Sequence, residues 1–299
     1  MSYIYNDAYE HTYYKSSDDL QNLFQVQVIQ PIRETRPDVA SLYDPPPNID
    51  GIRRLSENIL DRGTTNFNEQ STDVQYGVFT PADKVLLYCV HYMPMHLFST
   101  YHIFRNYLTS ISHNVVFIDF GCGPLTSGIA FWAVTSQHNI TYIGIDSSTA
   151  MCNKAKAINQ HGPDRYSSSP FFENVYLITN YQDLPQCMDR IEMGSPSDTQ
   201  IIFNFSYFLQ SYTFSNPANI EYLGKIINLL ASQYKNKKIS MVYQNPDVGA
   251  FQRRWYDLKS FLNSTAQDVP KVTTLAYDRL IQNRKHYNVK ASYDIFHNR

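Results

Sequence analysis

The chain has 299 residues, 43% of them hydrophobic, and a formal net charge of −2. That length supports one large or two modest domains with a buried core, and near-neutrality gives the whole molecule no electrostatic claim on nucleic acid. Cys89, Cys122, Cys152 and Cys187 are scattered without a Cys-x-x-Cys pair, so neither a disulfide framework nor a zinc site is expected; the dispersed histidines likewise imply no metal. No charged-then-apolar leader opens the chain and no apolar run reaches membrane-spanning length. A reducing, cytoplasmic setting without membrane contact is therefore expected.

Charge is uneven along the chain. Residues 1–80 carry 12 acidic and 6 basic side chains, whereas residues 221–299 carry 13 basic and 6 acidic. A basic C-terminal lobe of this kind is either a solvated face or a surface for phosphates.

Residues 1–70 read as polar and irregular, with Pro45, Pro46 and Pro47 stopping any helix. Their tyrosines (Tyr3, Tyr5, Tyr9, Tyr13, Tyr14) suit a segment that packs on something else. Ile52, Leu55 and Ile59 predict a helix over 50–61. Thr80-Pro81 reads as a helix cap followed by proline in the first turn, and Pro94 splits the apolar stretch that follows.

From Asn114 onward strands alternate with helices. Strands are predicted at 114–119, 141–146, 172–178, 200–205 and 238–243, with helices at 149–159 and 220–233 and a surface loop at 189–199. Such alternation predicts an α/β fold with a doubly wound, mostly parallel Rossmann-like sheet. Residues 111–299 form the predicted core domain, and residues 1–110 a mainly helical cap whose aromatic side chains face the site as a lid.

The most informative stretch is Val115-Val116-Phe117-Ile118-Asp119-Phe120-Gly121-Cys122-Gly123-Pro124. An apolar run ahead of two glycines reads as a buried strand ending in a tight loop that lets a ligand approach the backbone. The next strand ends in Asp146, at the spacing of a βαβ unit that presents a carboxylate to a ribose. A dinucleotide fingerprint would need glycine at Thr126, and Asp119 before the loop would repel a pyrophosphate. Asp119 instead suits a ligand with an ammonium group. The competing structural reading is a plain strand-to-helix turn, with Asp146 as a helix cap.

These residues resemble motif I (Asp119 to Pro124) and motif II (Asp146) of class I S-adenosylmethionine-dependent methyltransferases. The resemblance implies S-adenosylmethionine as cofactor, held by Asp119, Gly121, Cys122, Gly123, Asp146, Ser147, Asn180, Tyr181 and Asn204. Asn180 takes the place of a side chain that binds the adenine amino group, with Tyr181 stacking on the base; Asn180 and Asp183 equally suit a simple turn. Asn204 with Tyr207 resembles the Asn-Pro-Pro-Tyr motif of amino-group methyltransferases, without its two prolines. A buried aromatic strand end is the other reading.

Tyr92-Met93-Pro94, Phe205 to Leu209, and Asn245-Pro246 with Gly249 to Arg254 together resemble, over roughly residues 88–262, the methyltransferase-like family of the small ribosomal subunit. The cysteine set that often accompanies that family is absent here. The resemblance implies an RNA or ribosome-associated acceptor reached through the basic C-terminal lobe. Asn204, Tyr207 and His96 are the candidate catalytic residues, with His102 and Tyr76 as further candidates for a base. Two other readings stay open: a cofactor-binding assembly protein without catalysis, and a small-molecule N- or O-methyltransferase. A nicotinamide oxidoreductase is disfavoured by Thr126 and Asp119.

Overall fold

The computed structural model describes residues 4–6, 13–44, 47–61, 65–136, 138–164, 169–192, 198–261, 270–278 and 286–298. Short strands β1 (Ile4–Asn6) and β2 (Tyr13–Ser16) come first, followed by helices α1 (Asp18–Phe24), α2 (Gln30–Thr35), α3 (Pro37–Ala40) and α4 (Ile49–Leu60). A small hairpin, β3 (Ser71–Asp73) and β4 (Gly77–Phe79), leads into α5 (Pro81–His91) and α6 (Met93–Tyr107). Thr80 and Asp83 close a reciprocal capping box on α5, and Tyr92 separates it from α6, with Pro94 in the first turn of α6.

The alternating part then follows as β5 (Asn114–Phe120), α7 (Thr126–Thr135), β6 (Asn139–Ile145), α8 (Thr149–His161), β7 (Asn174–Ile178), α9 (Leu184–Met188) and β8 (Thr199–Ser206). It ends with α10 (Pro217–Gln233), β9 (Lys238–Pro246), α11 (Gly249–Ser260), β10 (Lys271–Asp278) and β11 (His286–Asn298). Nine described strands form one sheet in the order β1-β2-β10-β11-β9-β8-β5-β6-β7. Strands β5 to β9 are mutually parallel, and β11 runs antiparallel between β9 and β10.

This is the doubly wound, mostly parallel Rossmann-like α/β sheet that the alternation of elements predicts. Growth of the sheet reverses at β5: β6 and β7 lie on one side of it, β8 and β9 on the other. The crevice beyond the carboxyl ends at such a reversal is where ligands bind in open parallel sheets. Every residue of β8 is buried, as expected for a strand covered on both faces. Side chains alternate between the two layers: Val115 and Phe117 join the core beneath the N-terminal helices, α7 and α8, whereas Val116 and Ile118 join the core under α9 to α11.

Residues 17–43 differ from the irregular segment that their composition suggests, because they are largely helical. Ser17 caps α1 by accepting from the Leu20 amide at 3.2 Å. Leu20, Leu23, Phe24, Val28 and Ile32 fall on one helical stripe and are buried. Intervening glutamines disguise that stripe, and the apolar partners it needs lie far along the chain. The antiparallel pair β10 and β11 also adds to the predicted strands, the last of which is 238–243. Strand β11 alternates polar and apolar residues over 287–295 and finds its place by pairing with β9 on one side and β10 on the other.

Candidate functional site

At the end of β5 the chain turns sharply through Gly121 (φ +68°) and Gly123 (φ +51°), both in the left-handed region that glycine adopts at little cost. The Gly121 and Cys122 amides both donate to the Ile145 carbonyl, at 2.7 and 3.0 Å, and fasten the loop to the end of β6. A Cβ at Gly121 would lie 2.8 Å from Cδ2 of Phe208, so the loop also runs close beneath the segment that follows β8.

Asp146 organises the junction. Its Oδ2 accepts from the Gly123 amide at 3.0 Å and its Oδ1 from the Ser148 amide at 2.9 Å. Burial raises its pKa, and these two amide donors oppose the rise. Each oxygen keeps a further lone pair, and the residue is half-buried just past the carboxyl end of β6.

Asp119 is fully buried. The Tyr142 hydroxyl donates to its Oδ2 and the Asn204 amide to its Oδ1, each at 2.7 Å. Burial pushes its pKa up to about 7 against those two hydrogen bonds. The carboxyl expected to face a ligand ammonium therefore ties β5 to β6 and β8 inside the sheet. Asn204 is likewise engaged, because its Oδ1 accepts from the Ser206 hydroxyl at 2.8 Å.

Leu125 (φ +69°) precedes α7, and no side chain caps that helix. Thr126, in its first turn, is buried and its hydroxyl has no hydrogen-bond partner. An uncapped helix N-terminus with an orphaned hydroxyl beside a glycine loop suits a ligand carboxylate.

The remaining predicted cofactor residues are dispersed around this centre. Cys122 is buried within the loop, and Ser147 is exposed next to Asp146. Asn180, at the end of β7, is exposed; its Oδ1 accepts from the Gln182 amide at 3.0 Å and so shapes the turn. The half-buried ring of Tyr181 lies 6.0 Å from that of Tyr222 on α10.

Two of the three candidate catalytic residues, His96 and Tyr207, meet beyond β8, whereas Asn204 lies within that strand against Asp119. Tyr207 has φ +60°, a conformation that costs a bulky residue roughly 1–2 kcal/mol. Its amide donates to the Gln244 carbonyl at 2.6 Å, and its hydroxyl lies 2.8 Å from Ser99 Oγ and 3.1 Å from Gln244 Nε2. Its ring stacks on His96 with centroids 3.7 Å apart. Tyr88 hydroxyl and His96 Nδ1 are 2.8 Å apart.

Burial pushes His96 down to about 3 and Tyr207 up to about 12. At neutral pH the imidazole is therefore uncharged and the phenol protonated, and neither is poised as a general base. His102 sits in a separate network between Tyr14 hydroxyl (2.7 Å) and Thr273 hydroxyl (2.9 Å), bridging β2, α6 and β10. Tyr76 lies in the turn of the β3–β4 hairpin, where its carbonyl accepts from Arg36. Among the described residues no group of three or more His, Cys, Asp or Glu side chains could hold a metal ion.

Phe67, Asn68, Tyr88, Ser99 and Gln244 complete the surroundings, and no sequence signal marks them. Asn68 Nδ2 donates to the Ser147 carbonyl at 3.0 Å, and Ser148 Oγ donates to the Phe67 carbonyl at 3.2 Å. Only the folded chain brings positions 79 and 81 residues apart to the same edge.

No protein-family model and no curated protein matches this chain. Among solved structures it is similar to a precorrin-6Y C5,15-methyltransferase from Geobacter metallireducens, with 9% identity and a TM-score of 0.39, over 65% of this chain and 86% of that one. A human methyltransferase 10 domain containing protein has 14% identity and a TM-score of 0.35, over 67% and 81%. An S-adenosylmethionine-dependent methyltransferase from Leishmania major has 11% identity and a TM-score of 0.33, over 75% and 95%. All three are methyltransferases by name, every measure of likeness is low, and the fold stands on this chain's own strand order and register.

Proposed function

We propose that this protein binds S-adenosylmethionine at the carboxyl ends of β5, β6 and β8 and transfers its methyl group to an acceptor that enters beneath the N-terminal helices. The observation that carries this reading is the joint placement of Asp146, the glycine loop and the uncapped N-terminus of α7 around one crevice. Asp146 would accept from the ribose hydroxyls, and the α7 N-terminus with Thr126 would receive the carboxylate. Gly123 leaves the backbone bare where the ligand would cross, while Gly121 makes room for the Phe208 ring beside it. The bound cofactor supplies a methyl group activated by a sulfonium, so the protein has to align the acceptor and exclude water. His96, Tyr88 and Tyr207 form an uncharged aromatic wall suited to both tasks, and their ring faces tolerate a neighbouring cation.

The acceptor class expected from the resemblance is RNA or a ribosome-associated substrate. Within the C-terminal lobe Lys259 pairs with Asp294 at 2.7 Å and Lys290 with Asp247 at 2.6 Å, pairs internal to the lobe that leave its positive surplus unchanged. A second reading, binding without catalysis, is favoured by the engagement of Asn204 and the inert protonation states of His96 and Tyr207.

Calorimetry and thermal melts test the first reading. Either S-adenosylmethionine or S-adenosylhomocysteine at about a hundred times its dissociation constant is expected to stabilise the fold by roughly 2.7 kcal/mol. Silence to both, with a response to NAD, would overturn it. Formation of S-adenosylhomocysteine in the presence of RNA, ribosomal subunits or small amines then separates catalysis from binding alone.

A further inference from the structure

We propose that Lys84 is a positioning residue that clamps the loop 65–71 shut across the cofactor crevice; this rests on the cofactor reading above. Lys84 projects from the first turns of α5 and is 1% exposed. Its ammonium donates to the Asn66 carbonyl at 2.5 Å and to Ser71 Oγ at 3.1 Å, with Thr65 Oγ1 at 3.5 Å. All three acceptors are neutral; Thr65 and Asn66 open the loop and Ser71, the first residue of β3, closes it. Among the described residues no carboxylate bonds this ammonium.

The residues between those acceptors reach the opposite wall. Asn68 holds the Ser147 carbonyl and Phe67 the Ser148 hydroxyl, the two positions that follow Asp146. The Phe67 ring meets Tyr88 edge-on at 5.6 Å, and Tyr88 continues to His96. The loop thus spans the crevice from the end of β6 to the aromatic wall, and Lys84 grips it from behind.

A buried ammonium among neutral acceptors is a poor device for stability, because it gives up hydration without gaining a counter-charge. It is a good device for placement, since one head group with three donors fixes several points of a short loop together. Burial lowers the Lys84 pKa, with Glu69 opposing from a distance, in keeping with this uncompensated setting.

The test compares the full-length chain with Lys84→Met, which keeps the stem and removes the donors. The variant is expected to melt at the same temperature or higher, and to release S-adenosylhomocysteine on the order of tenfold faster, within the usual range of coupling between an element and its ligand. Without ligand, amides of residues 65–71 are expected to exchange hydrogen faster while those of α5 are unchanged.

Unchanged release with unchanged loop exchange overturns the clamp. A lowered melting temperature with faster exchange throughout also overturns it, since that marks a merely structural lysine. Should Lys84→Met fail to fold, the exposed Asn68→Ala removes the far contact; it is expected to speed release, and unchanged release overturns the proposal. Failure of the wild type to bind either ligand overturns the cofactor reading, and loop exchange then still tests the clamp.

Discussion

Asp146 accepts two backbone hydrogen bonds, one from the glycine loop after β5, remote in sequence, and one from its near neighbour Ser148 at the start of α8. A single carboxylate thus shapes both the loop and the helix entry. Asp146→Ala is expected to weaken cofactor binding by about 1.5–3 kcal/mol, the loss for a charge-assisted hydrogen bond, measurable by calorimetry. Because the Gly123 and Ser148 amides lose their acceptor, the fold also loses about 1–3 kcal/mol in a denaturant titration. The sequence pattern offers this residue both a ligand role and a helix-capping one; its hold on the Gly123 amide becomes visible only with the loop in place. Asp119 makes the same point more sharply. Its position before the glycines marks it as functional, yet its carboxyl is buried against Tyr142 and Asn204, partners that arrive from β6 and β8.

At the scale of one element, α6 joins the N-terminal helices to the sheet through polar contacts. Thr100 donates to Gln244 Oε1 at 3.0 Å and Gln244 Nε2 to Ser99 Oγ at 2.7 Å, fastening the helix to β9. Its two buried histidines impose a pH dependence. Burial lowers His96 from 6.5 to about 3 and His102 from 6.5 to about 4. Between pH 6.5 and 4 the unfolded chain takes up protons that the folded chain refuses, so these groups destabilise the fold as pH falls. Asp119, raised from 3.8 to about 7, works in the opposite direction, because the folded state holds its proton first. Asp146, also raised by burial, adds to Asp119, whereas His161 and His297, also lowered by burial, add to the two α6 histidines, so removing one histidine isolates its own contribution. His96→Phe keeps a ring against Tyr207 and removes one titration. Its melting temperature is expected to fall less between pH 6.5 and 4 than that of the wild type, as read by thermal melts across that range.

At the scale of the whole molecule, the N-terminal region is continuous with the core. Leu20, Leu23, Phe24 and Leu55 belong to one apolar cluster with Phe104, Phe117 and Tyr142, and β2 extends the sheet beyond β10. Deleting residues 1–70 is therefore expected to abolish the cooperative melting transition in calorimetry, in addition to any effect on methyl transfer. Leu23→Ala, 1% exposed in the native protein, is expected to cost about 2–5 kcal/mol on its own. A truncated chain that melts cooperatively would show that the sheet carries its own stability. Among the described residues no helix is long and apolar enough to cross a membrane.

Local chemistry made much of this protein legible from its sequence. Apolar runs ending in Asp119 and Asp146 marked two adjacent parallel strands, paired glycines marked the loop between the first strand and α7, and Thr80-Pro81 marked the start of α5. Each of those signals lies within a few residues, where periodicity, capping and backbone sterics act. The tertiary structure alone decided the rest. The glutamine-interleaved stripe of α1 and α2 acquires meaning only against α5 and α6, and β11 is a strand because β9 and β10 flank it. The walls of the crevice, where Phe67 and Asn68 meet Ser147 and Ser148 while Lys84 holds the loop from behind, are built from contacts between residues far apart in the chain. Such contacts leave no periodic trace in sequence, because each is fixed by the packing of whole elements and not by the residues that neighbour it.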